Sequence, residues 1–347
     1  MLYRSGMSTI QIVGGGIAGL ALAATLQRPD WDVVVHEHRH RPEEREVGTA
    51  FGLWPSAMAA LDQIGIGAAV RDHGAAVSTA MFRTADGRAL MTTPQQDVVM
   101  IARTTLHHLL YAAVPASVQQ HHGCISDSRA LAGDVIVGAD GAHSIVRRDH
   151  WGRKAAARAR GTTVIRGVIE GDLARGEVTE YWGNGQLFGI TPVSADRTNW
   201  FTAFTEQRFD SIKHGLDHLR QTSQHFPAPV QAVLAAADPD QTLINGIHIS
   251  PTLTTVVRGR AVLIGDAAHA MAPNAGRGAC ESILDAVALG TLLNQHPPAD
   301  ALRRYRWRRL VAPQLIRAGS SILMTVALAS GRRARTRNAL VRTLTRA

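Results

Sequence analysis

The stretch that decides the fold runs from Thr9 to Gly19 and reads Thr-Ile-Gln-Ile-Val-Gly-Gly-Gly-Ile-Ala-Gly. Its β-branched first half predicts a buried strand, and the residues after Gly19 are typical of a helix. A second apolar run, residues 32–36, follows and ends at Glu37. Strand, helix and strand in this order predict a βαβ unit, which requires a parallel sheet covered by helices.

The glycine spacing within this unit indicates a dinucleotide. Gly14 permits a tight turn, Gly16 lets a pyrophosphate approach the backbone, and Gly19 allows the helix to pack closely on the strand. We expect Ala18 to contact the ligand as well, because free N–H groups at a helix N-terminus favour phosphate. Glu37 lies 21 positions after Gly16, which matches the offset of an acid that binds ribose hydroxyls. These residues alone do not choose between FAD and NAD.

Two later segments make that choice. Residues 134–147 contain Asp140-Gly141, and residues 259–278 contain Gly265-Asp266, each after a short apolar run. Together with the glycine loop, these motifs resemble the class A flavoprotein monooxygenases, the family of para-hydroxybenzoate hydroxylase. The resemblance covers nearly the whole chain and implies a bound FAD.

The resemblance also implies cofactor contacts. Asp140 matches a position near the FAD pyrophosphate, and Asp266 matches the acid that binds the ribityl chain. Arg103 resembles a flavin-contacting arginine at the start of a helix, and Arg45 lies in the loop that follows the ribose-binding acid. The backbone matching the remaining positions passes the isoalloxazine ring, and its N–H groups can stabilise negative charge on reduced flavin; these positions are Pro273, Gly276, Gly278 and Ala279.

The implied activity is monooxygenation of an aromatic or polyketide-like small molecule. NADPH or NADH reduces FAD, O2 adds at C4a, and the distal oxygen of the resulting hydroperoxide passes to the substrate. No obligate catalytic side chain is predicted. Two alternatives stay open, a non-oxygenating FAD dehydrogenase or reductase, and a flavin-binding accessory protein without turnover. The interval from Arg103 to Asp140, which is short for the family, favours the accessory protein.

The predicted fold class is α/β, with a Rossmann-like FAD-binding domain of the GR2 type, an interleaved antiparallel-sheet substrate domain and C-terminal helices. Strands are predicted at 162–171, 177–183, 186–191 and 199–204, separated by turn residues. The predicted FAD-binding segments are 7–72, 99–160 and 251–296, the substrate segments are 73–98 and 161–250, and the C-terminal helices span 297–347.

Side chains of the predicted sheet are candidates for lining a substrate pocket against residues 271–276. The candidates are Arg166, Tyr181, Trp200 and Phe204. For each of them, a core or surface position is the alternative to substrate contact.

Composition limits the partners. The chain has 347 residues and a net charge of +9, but residues 301–347 hold twelve arginines and no acid, so the remainder is near −3. We interpret this basic end as a solvated face of terminal helices, because no recognised nucleic-acid module is present. The expected partner is a small aromatic molecule, without nucleic acid or stable membrane insertion, and the expected state is a monomer or homodimer.

Cysteine and histidine add little chemistry. Two cysteines without a disulfide framework favour a cytoplasmic location, and Cys280 is expected to be a small packing residue. Two clusters could suggest a metal, but neither has a recognised ligand spacing, so no metal is predicted. They are His36, His38 and His40 beside Glu37, and His121, His122 and Cys124.

Overall fold

The computed structural model describes residues 7–38 and 49–344. Within them the strands are β1 (Ser8–Val13), β2 (Trp31–Glu37), β3 (Ala50–Leu53), β4 (Ala75–Thr84), β5 (Ala89–Ala102), β6 (Gln119–His122), β7 (Val135–Gly138), β8 (Arg158–Glu170), β9 (Glu177–Trp182), β10 (Gln186–Ser194), β11 (Arg197–Thr205), β12 (Thr242–Ile249), β13 (Val257–Arg258) and β14 (Ala261–Leu263). The α-helices are α1 (Ile17–Thr25), α2 (Pro55–Ile64), α3 (Gly67–His73), α4 (Arg103–Ala113), α5 (Ile145–Trp151), α6 (Ile212–Thr222), α7 (Ala228–Ala236), α8 (Asp266–His269), α9 (Gly278–Gln295), α10 (Pro298–Arg309), α11 (Ala312–Ala327) and α12 (Gly331–Leu344).

The first sheet has the order β13-β14-β7-β1-β2-β6. β1 pairs in parallel with both β2 and β7, and β14 continues the parallel pairing beyond β7. Helices α1 and α9 pack against each other beside this sheet, and the buried side chains of strands and helices form one apolar core. This is the parallel βαβ arrangement that the glycine stretch predicts.

The second sheet has the order β12-β8-β11-β10-β9-β4-β5-β3. Its pairs are antiparallel, as predicted, except that β4 lies parallel to β9. Helices α6 and α7 cover one face through Leu216, Leu219 and Val230, which are buried in a second core. The short β3, placed by sequence in an FAD-binding segment, pairs with β5 in this sheet. The exact domain boundaries therefore stay a prediction.

The short interval from Arg103 to Asp140 is compact in the structure. It contains α4 and the four-residue β6, which pairs in parallel with β2 at the edge of the first sheet. The chain then returns to β7 through one turn of 3-10 helix. The nucleotide-binding sheet is thus completed by a single short edge strand.

Candidate active-site cleft

The three glycines of the motif after β1, Gly14, Gly16 and Gly19, differ in their surroundings. A Cβ on Gly14, whose φ is +108°, would lie 2.4 Å from the carbonyl oxygen of Ala139. A Cβ on Gly19 would lie 1.9 Å from the carbonyl oxygen of Gly14, whereas a Cβ on Gly16 would meet no atom within 4 Å. Gly14 and Gly19 are therefore required by packing, and Gly16 is the one that leaves open space for a ligand.

Glu37 closes one side of this loop. Its Oε2 accepts a hydrogen bond of 2.8 Å from the backbone N–H of Gly15, and its Oε1 lies 2.9 Å from Nδ1 of His38. A cavity of about 460 Å³ opens here, lined by the glycine loop, Glu37, Arg103 and Asp140 among others. The structure thus brings together four elements that lie far apart in the sequence. Arg45 lies outside the described residues.

Asp140 caps the entrance to α5. Its Oδ2 accepts hydrogen bonds from the backbone N–H groups of Ile145 (2.6 Å) and Val146 (3.3 Å). Its Oδ1 is buried and has no hydrogen-bond partner among the described residues. Burial raises the pKa of this carboxyl, although hydrogen bonds from Ser144 and the backbone oppose the shift. A buried acceptor without a partner on a cavity wall fits a ligand that donates a hydrogen bond there.

Arg147 joins the two later motifs, a role that sequence reasoning missed. Its side chain is 1% exposed. It donates to the carbonyl oxygens of Asp266 (3.2 Å) and Ala267 (2.6 Å), and also to that of Ala142. Its position nine residues after β7 offered no signal, because two of its acceptors are backbone oxygens of α8, more than 100 residues away.

Asp266 begins α8 at the end of β14. Its side chain is accessible to solvent, yet desolvation by the surrounding protein raises its pKa, against the charges of His269, Arg103 and Arg147. Because the Asp266 carboxylate is accessible to solvent, a ribityl hydroxyl could donate to it. A Cβ on Gly278 would lie 4.0 Å from its Oδ1, so the N-terminus of α9 borders the same space.

Ala18 supports this loop rather than facing open space. A Cβ on Gly265, whose φ is +58°, would lie 3.0 Å from the Cβ of Ala18 and 2.7 Å from Oγ of Ser282. Ala18 itself is 7% exposed. The first turn of α1 therefore packs directly on the Gly265-Asp266 turn, which links the glycine loop to the second motif.

A buried ionic network stabilises the Gly265-Asp266 turn. Nε2 of His269 lies 2.6 Å from Oδ2 of Asp285, and Nε of Arg309 lies 2.6 Å from Oδ1 of the same carboxylate. Burial disfavours the cation of His269, but the charge and hydrogen bond of Asp285 raise its pKa overall. His269 is 2% exposed, so it is placed to support the loop and not to act as a base in the cleft.

The segment expected beside the flavin ring forms a turn and a helix N-terminus. Pro273 and Gly276 are exposed, and Gly276 has a φ of +59°. Gly278 and Ala279 open the 18-residue α9, so their N–H groups have no acceptor one turn earlier. Such a terminus carries a partial positive charge that would stabilise an anionic flavin.

Two neighbours of this turn have structural contacts. Arg277 lies over the ring of Trp54 at 5.6 Å and forms an ion pair of 2.8 Å with Glu281. Cys280 is fully buried and its Sγ donates to the carbonyl oxygen of Gly52. Burial raises the pKa of its thiol to about 11, which fits the packing role expected from sequence.

One row of the second sheet faces the cleft. Arg166 pairs with Phe201, Phe201 with Gly189, and Gly189 with Glu180, and residues opposite each other in a sheet point to the same face. Burial and then the nearby charge of Arg103 lower the pKa of Arg166. Arg166, at one end of the row, is therefore close to Arg103, which lines the cofactor cavity.

Packing on both sides of this row defines its space. On one side, Val168 and Val193 pack with Ala102. On the other side, Leu187 packs with Ala272, which precedes Pro273. The row thus lies between Ala102, which precedes α4, and Ala272, and the substrate pocket expected there from sequence stays a prediction.

The three aromatic candidates lie on the opposite face of the sheet. Tyr181, Trp200 and Phe204 are at most 9% exposed and pack with the residues of α6 and α7. They fill that core because their positions have the opposite parity to Arg166 in the strand register. This corrects the sequence expectation. Phe201 and Glu180, which sequence reasoning missed, lie on the same face of the sheet as Arg166.

Glu180 is the unusual member of the row. Its side chain is 6% exposed, and its Oε2 accepts a hydrogen bond of 2.9 Å from Nε1 of Trp182. Burial raises the pKa of its carboxyl to about 7, against the effect of that hydrogen bond. The row therefore holds a carboxyl group that can change protonation near neutral pH.

A family model described as FAD binding domain matches residues 7–128 and 123–317 of this chain. The chain belongs to this FAD-binding family. Relatives with assigned activities support the same conclusion. Aurachin C monooxygenase/isomerase of Stigmatella aurantiaca is 30% identical and covers 90% of this chain, with 88% of that protein covered. 2-Heptyl-3-hydroxy-4(1H)-quinolone synthase of Pseudomonas aeruginosa is 28% identical, with 91% and 88% covered.

Solved structures show the same fold. HpxO of Klebsiella pneumoniae, complexed with FAD and uric acid, superposes with a TM-score of 0.85 at 24% identity, covering 98% of this chain and 94% of that one. The predicted fold class and family are confirmed. This member of the family is an FAD-dependent enzyme of the monooxygenase type.

Proposed function

We propose that this enzyme consumes NAD(P)H and inserts one oxygen atom from O2 into an electron-rich aromatic small molecule, in the cytoplasm. The observation that supports this most is the position of the row from Arg166 to Glu180, between the start of α4 and the segment expected beside the flavin. A site between these elements is shielded from bulk water, and oxygen transfer requires such shielding.

The residues of the cleft would hold FAD in an extended form. The open side of Gly16 would face the pyrophosphate. The orphaned Oδ1 of Asp140 would accept a hydrogen bond from a hydroxyl group of the cofactor. Glu37 would bind the ribose, Asp266 the ribityl chain, and the α9 N-terminus at Gly278 would stabilise negative charge on the ring. When bound, FAD supplies hydride acceptance and O2 activation. The protein supplies orientation, charge and the exclusion of water.

The substrate would lie on the sheet row. Nε of Arg166 is buried and has no hydrogen-bond partner among the described residues, while its Nη2 donates to Asn245 at 3.3 Å. This guanidinium could therefore bind an oxygen of the substrate. The ring of Phe201 covers Gly189, where a Cβ would lie 2.1 Å from the ring. A flat aromatic ring with an oxygen substituent fits these groups.

The relatives narrow the substrate class. The names of two of them contain a quinolone or an aurachin. Glu180 adds a second polar group, because its neutral form donates a hydrogen bond and its ionised form accepts one. We therefore infer a bicyclic or monocyclic aromatic ring that carries a carbonyl or phenolic oxygen.

The decisive experiment measures coupling. Purified FAD-loaded enzyme would be mixed with NADPH or NADH and a panel of 4-hydroxyquinolines, phenols and aminobenzoates, and the consumption of NAD(P)H, the consumption of O2 and the product mass would be followed. We expect an active ligand to accelerate NAD(P)H oxidation and to yield a product 16 mass units heavier, the mass of one oxygen atom. Labelled ¹⁸O2 would place its label in the product.

Other outcomes would select other functions. Ligand-dependent flavin reduction with oxidised product and no incorporated ¹⁸O would indicate a dehydrogenase or reductase. Retention of FAD without reduction by either nicotinamide across the panel would indicate an accessory flavoprotein. Either result would contradict the proposed oxygen insertion.

A further inference from the structure

The C-terminal helices carry an exposed row of large apolar side chains. Trp307 is 73% exposed, Leu315 is 67% exposed and Ile322 is 66% exposed. Val311 and Val326 complete a set with successive spacings of four, four, seven and four positions, and Gly319 lies within the spacing of seven. The backbone of Leu310 and Val311 stays helical between α10 and α11, so these residues follow one side of a continuous helical path. We call this set the apolar row.

The opposite side of α11 is packed on the protein. Pro313, Ser320 and Met324 are buried, and each lies two positions before an exposed member of the apolar row. Two positions correspond to about 200° around a helix. The apolar row therefore points directly away from the protein. Isolated exposed apolar residues are ordinary, but an aligned set of this size marks an interaction surface.

Charge identifies the partner. Arg304 and Arg308 are exposed on α10, where they continue the apolar row at its N-terminal end. Arg306 lies over the ring of Trp307 at 5.6 Å. Since the exposed charged side chains beside the apolar row in α10, Arg304, Arg306 and Arg308, are all arginines, two copies joined through this face would oppose arginine to arginine. An anionic lipid surface offers both phosphate for the arginines and hydrocarbon for the apolar row.

We propose that α10 and α11 dock this enzyme on the surface of an anionic phospholipid membrane. One run of the described residues, Pro298–Ala327, is long and apolar enough by length and composition to cross a membrane. Docking fits the structure better than crossing. One side of this run, which includes Tyr305, Ser320 and Met324, is packed on the protein and is not available to lipid.

Docking would have a consequence for substrate access. α11 packs on the 273–275 turn, and Ser320 reaches Sδ of Met271 at 4.0 Å. The segment proposed to lie beside the flavin is thus one helix thickness, roughly 10 Å, from the docked face. This consequence rests on the proposed function, whereas the docking itself does not.

Vesicle co-sedimentation of the FAD-loaded enzyme tests the proposal. We expect binding to vesicles with 30% phosphatidylglycerol in phosphatidylcholine at about 0.1 M salt, and at least tenfold weaker binding to phosphatidylcholine alone or at about 0.5 M salt. Leu315→Ser combined with Ile322→Ser should weaken binding at least tenfold. Arg304→Gln and Arg308→Gln should weaken it about fivefold each.

Leu173→Ser is the matched control. Leu173 is 38% exposed and follows β8, the strand whose other end contacts α11 through Arg160 and Ser321. Glu170 at the end of β8 lies ten positions, roughly 33 Å, from Arg160 along the strand, and Leu173 lies beyond Glu170, so its replacement should leave vesicle binding unchanged. Bound FAD and thermal melting would show that each variant is folded.

Two results would overturn the proposal. One is equal or absent binding to charged and neutral vesicles. The other is a dimer in light scattering that the Leu315→Ser, Ile322→Ser variant converts to a monomer, since this would give the face to a second copy. The vesicle assay does not require turnover, so failure of membrane docking is distinguishable from failure of the proposed monooxygenase activity.

Discussion

Asp285→Asn is predicted to destabilise the fold far more than its small change in shape suggests. Oδ2 of Asp285 accepts from Nε2 of His269 (2.6 Å) and from the backbone N–H of Gly265 (2.9 Å), and Oδ1 accepts from Nε of Arg309 (2.6 Å). An asparagine has only one acceptor oxygen, so its NH2 group would face one of these hydrogen-bond donors. The substitution also leaves two buried cations with less negative charge.

The expected loss follows from burial. Asp285 is 1% exposed and His269 is 2% exposed, and breaking a buried pair by removing one partner costs about 3–5 kcal/mol. This corresponds to a fall in Tm on the order of 10 °C. The free energy of unfolding would be measured by urea denaturation of the FAD-loaded enzyme, followed by tryptophan and flavin fluorescence.

The pH dependence of this loss has a definite sign. The cations of His269 and Arg309 hold the pKa of Asp285 below its ordinary 3.8, although burial opposes this shift. The folding stability that Asp285 contributes is therefore present above pH 3.8 and is lost as pH falls through the lowered pKa. The pKa of His269 is raised above 6.5, so its contribution is present below pH 6.5 and is lost as pH rises through the raised value. The difference between wild type and variant should peak between these limits.

Asp300→Asn provides the matched control, because Asp300 pairs with Arg303 at 2.9 Å on the surface. Both side chains are largely exposed, and such pairs contribute about 1 kcal/mol or less. If Asp285→Asn also changed the free energy of unfolding by less than about 1 kcal/mol, the buried network would not be what holds the Gly265-Asp266 turn.

Three further predictions concern the cleft. Gly16→Ala should keep the thermal stability of the apoprotein but weaken FAD binding at least tenfold, as measured by fluorescence titration. Gly19→Ala should lower the thermal stability itself, because a Cβ at Gly19 meets backbone atoms and a Cβ at Gly16 does not. Equal effects of the two variants would contradict the assignment of Gly16 to the ligand side. Asp266→Asn, which keeps size and removes charge, should weaken FAD binding without the loss of stability expected at Asp285, and unfolding of this variant would count against an open carboxylate. Glu180→Gln should flatten the pH dependence of substrate binding. The pKa of Glu180 is about 7, so the neutral acid of the wild type donates a hydrogen bond below that pH, and the Kd of the ligand should rise up to about tenfold per pH unit above it. A wild-type Kd that does not change with pH would contradict a contact between Glu180 and the substrate.

The nucleotide-binding half of the fold could be predicted because its signals are local. β1, the glycine turn and α1 lie within 18 consecutive positions, residues 8–25, and a Cβ at Gly14 or Gly19 would collide with backbone. The strand ending at Glu37 and the carboxylates after β7 and β14 could also be predicted from sequence, because the carboxyl ends of parallel strands lie at one edge of a sheet.

The substrate face could not be predicted in the same way. Strands β9 and β10 are buried on both faces, so alternation of apolar and polar residues does not reveal which side chains face the cleft. Tyr181 and Glu180 are neighbours in the chain, yet one packs against α6 and α7 and the other lies in the cleft row. Only the register between strands separates them.

By itself, the sequence determined the βαβ unit, the dinucleotide loop with Glu37 and the family, because these depend on short-range backbone geometry. The tertiary structure decided that Arg147 ties the two carboxylate motifs together and that Asp285 holds the second one from behind. It also decided that the arginine-rich end carries an aligned apolar row. These features depend on contacts between residues far apart in the chain, and on which side of a helix or strand faces the protein.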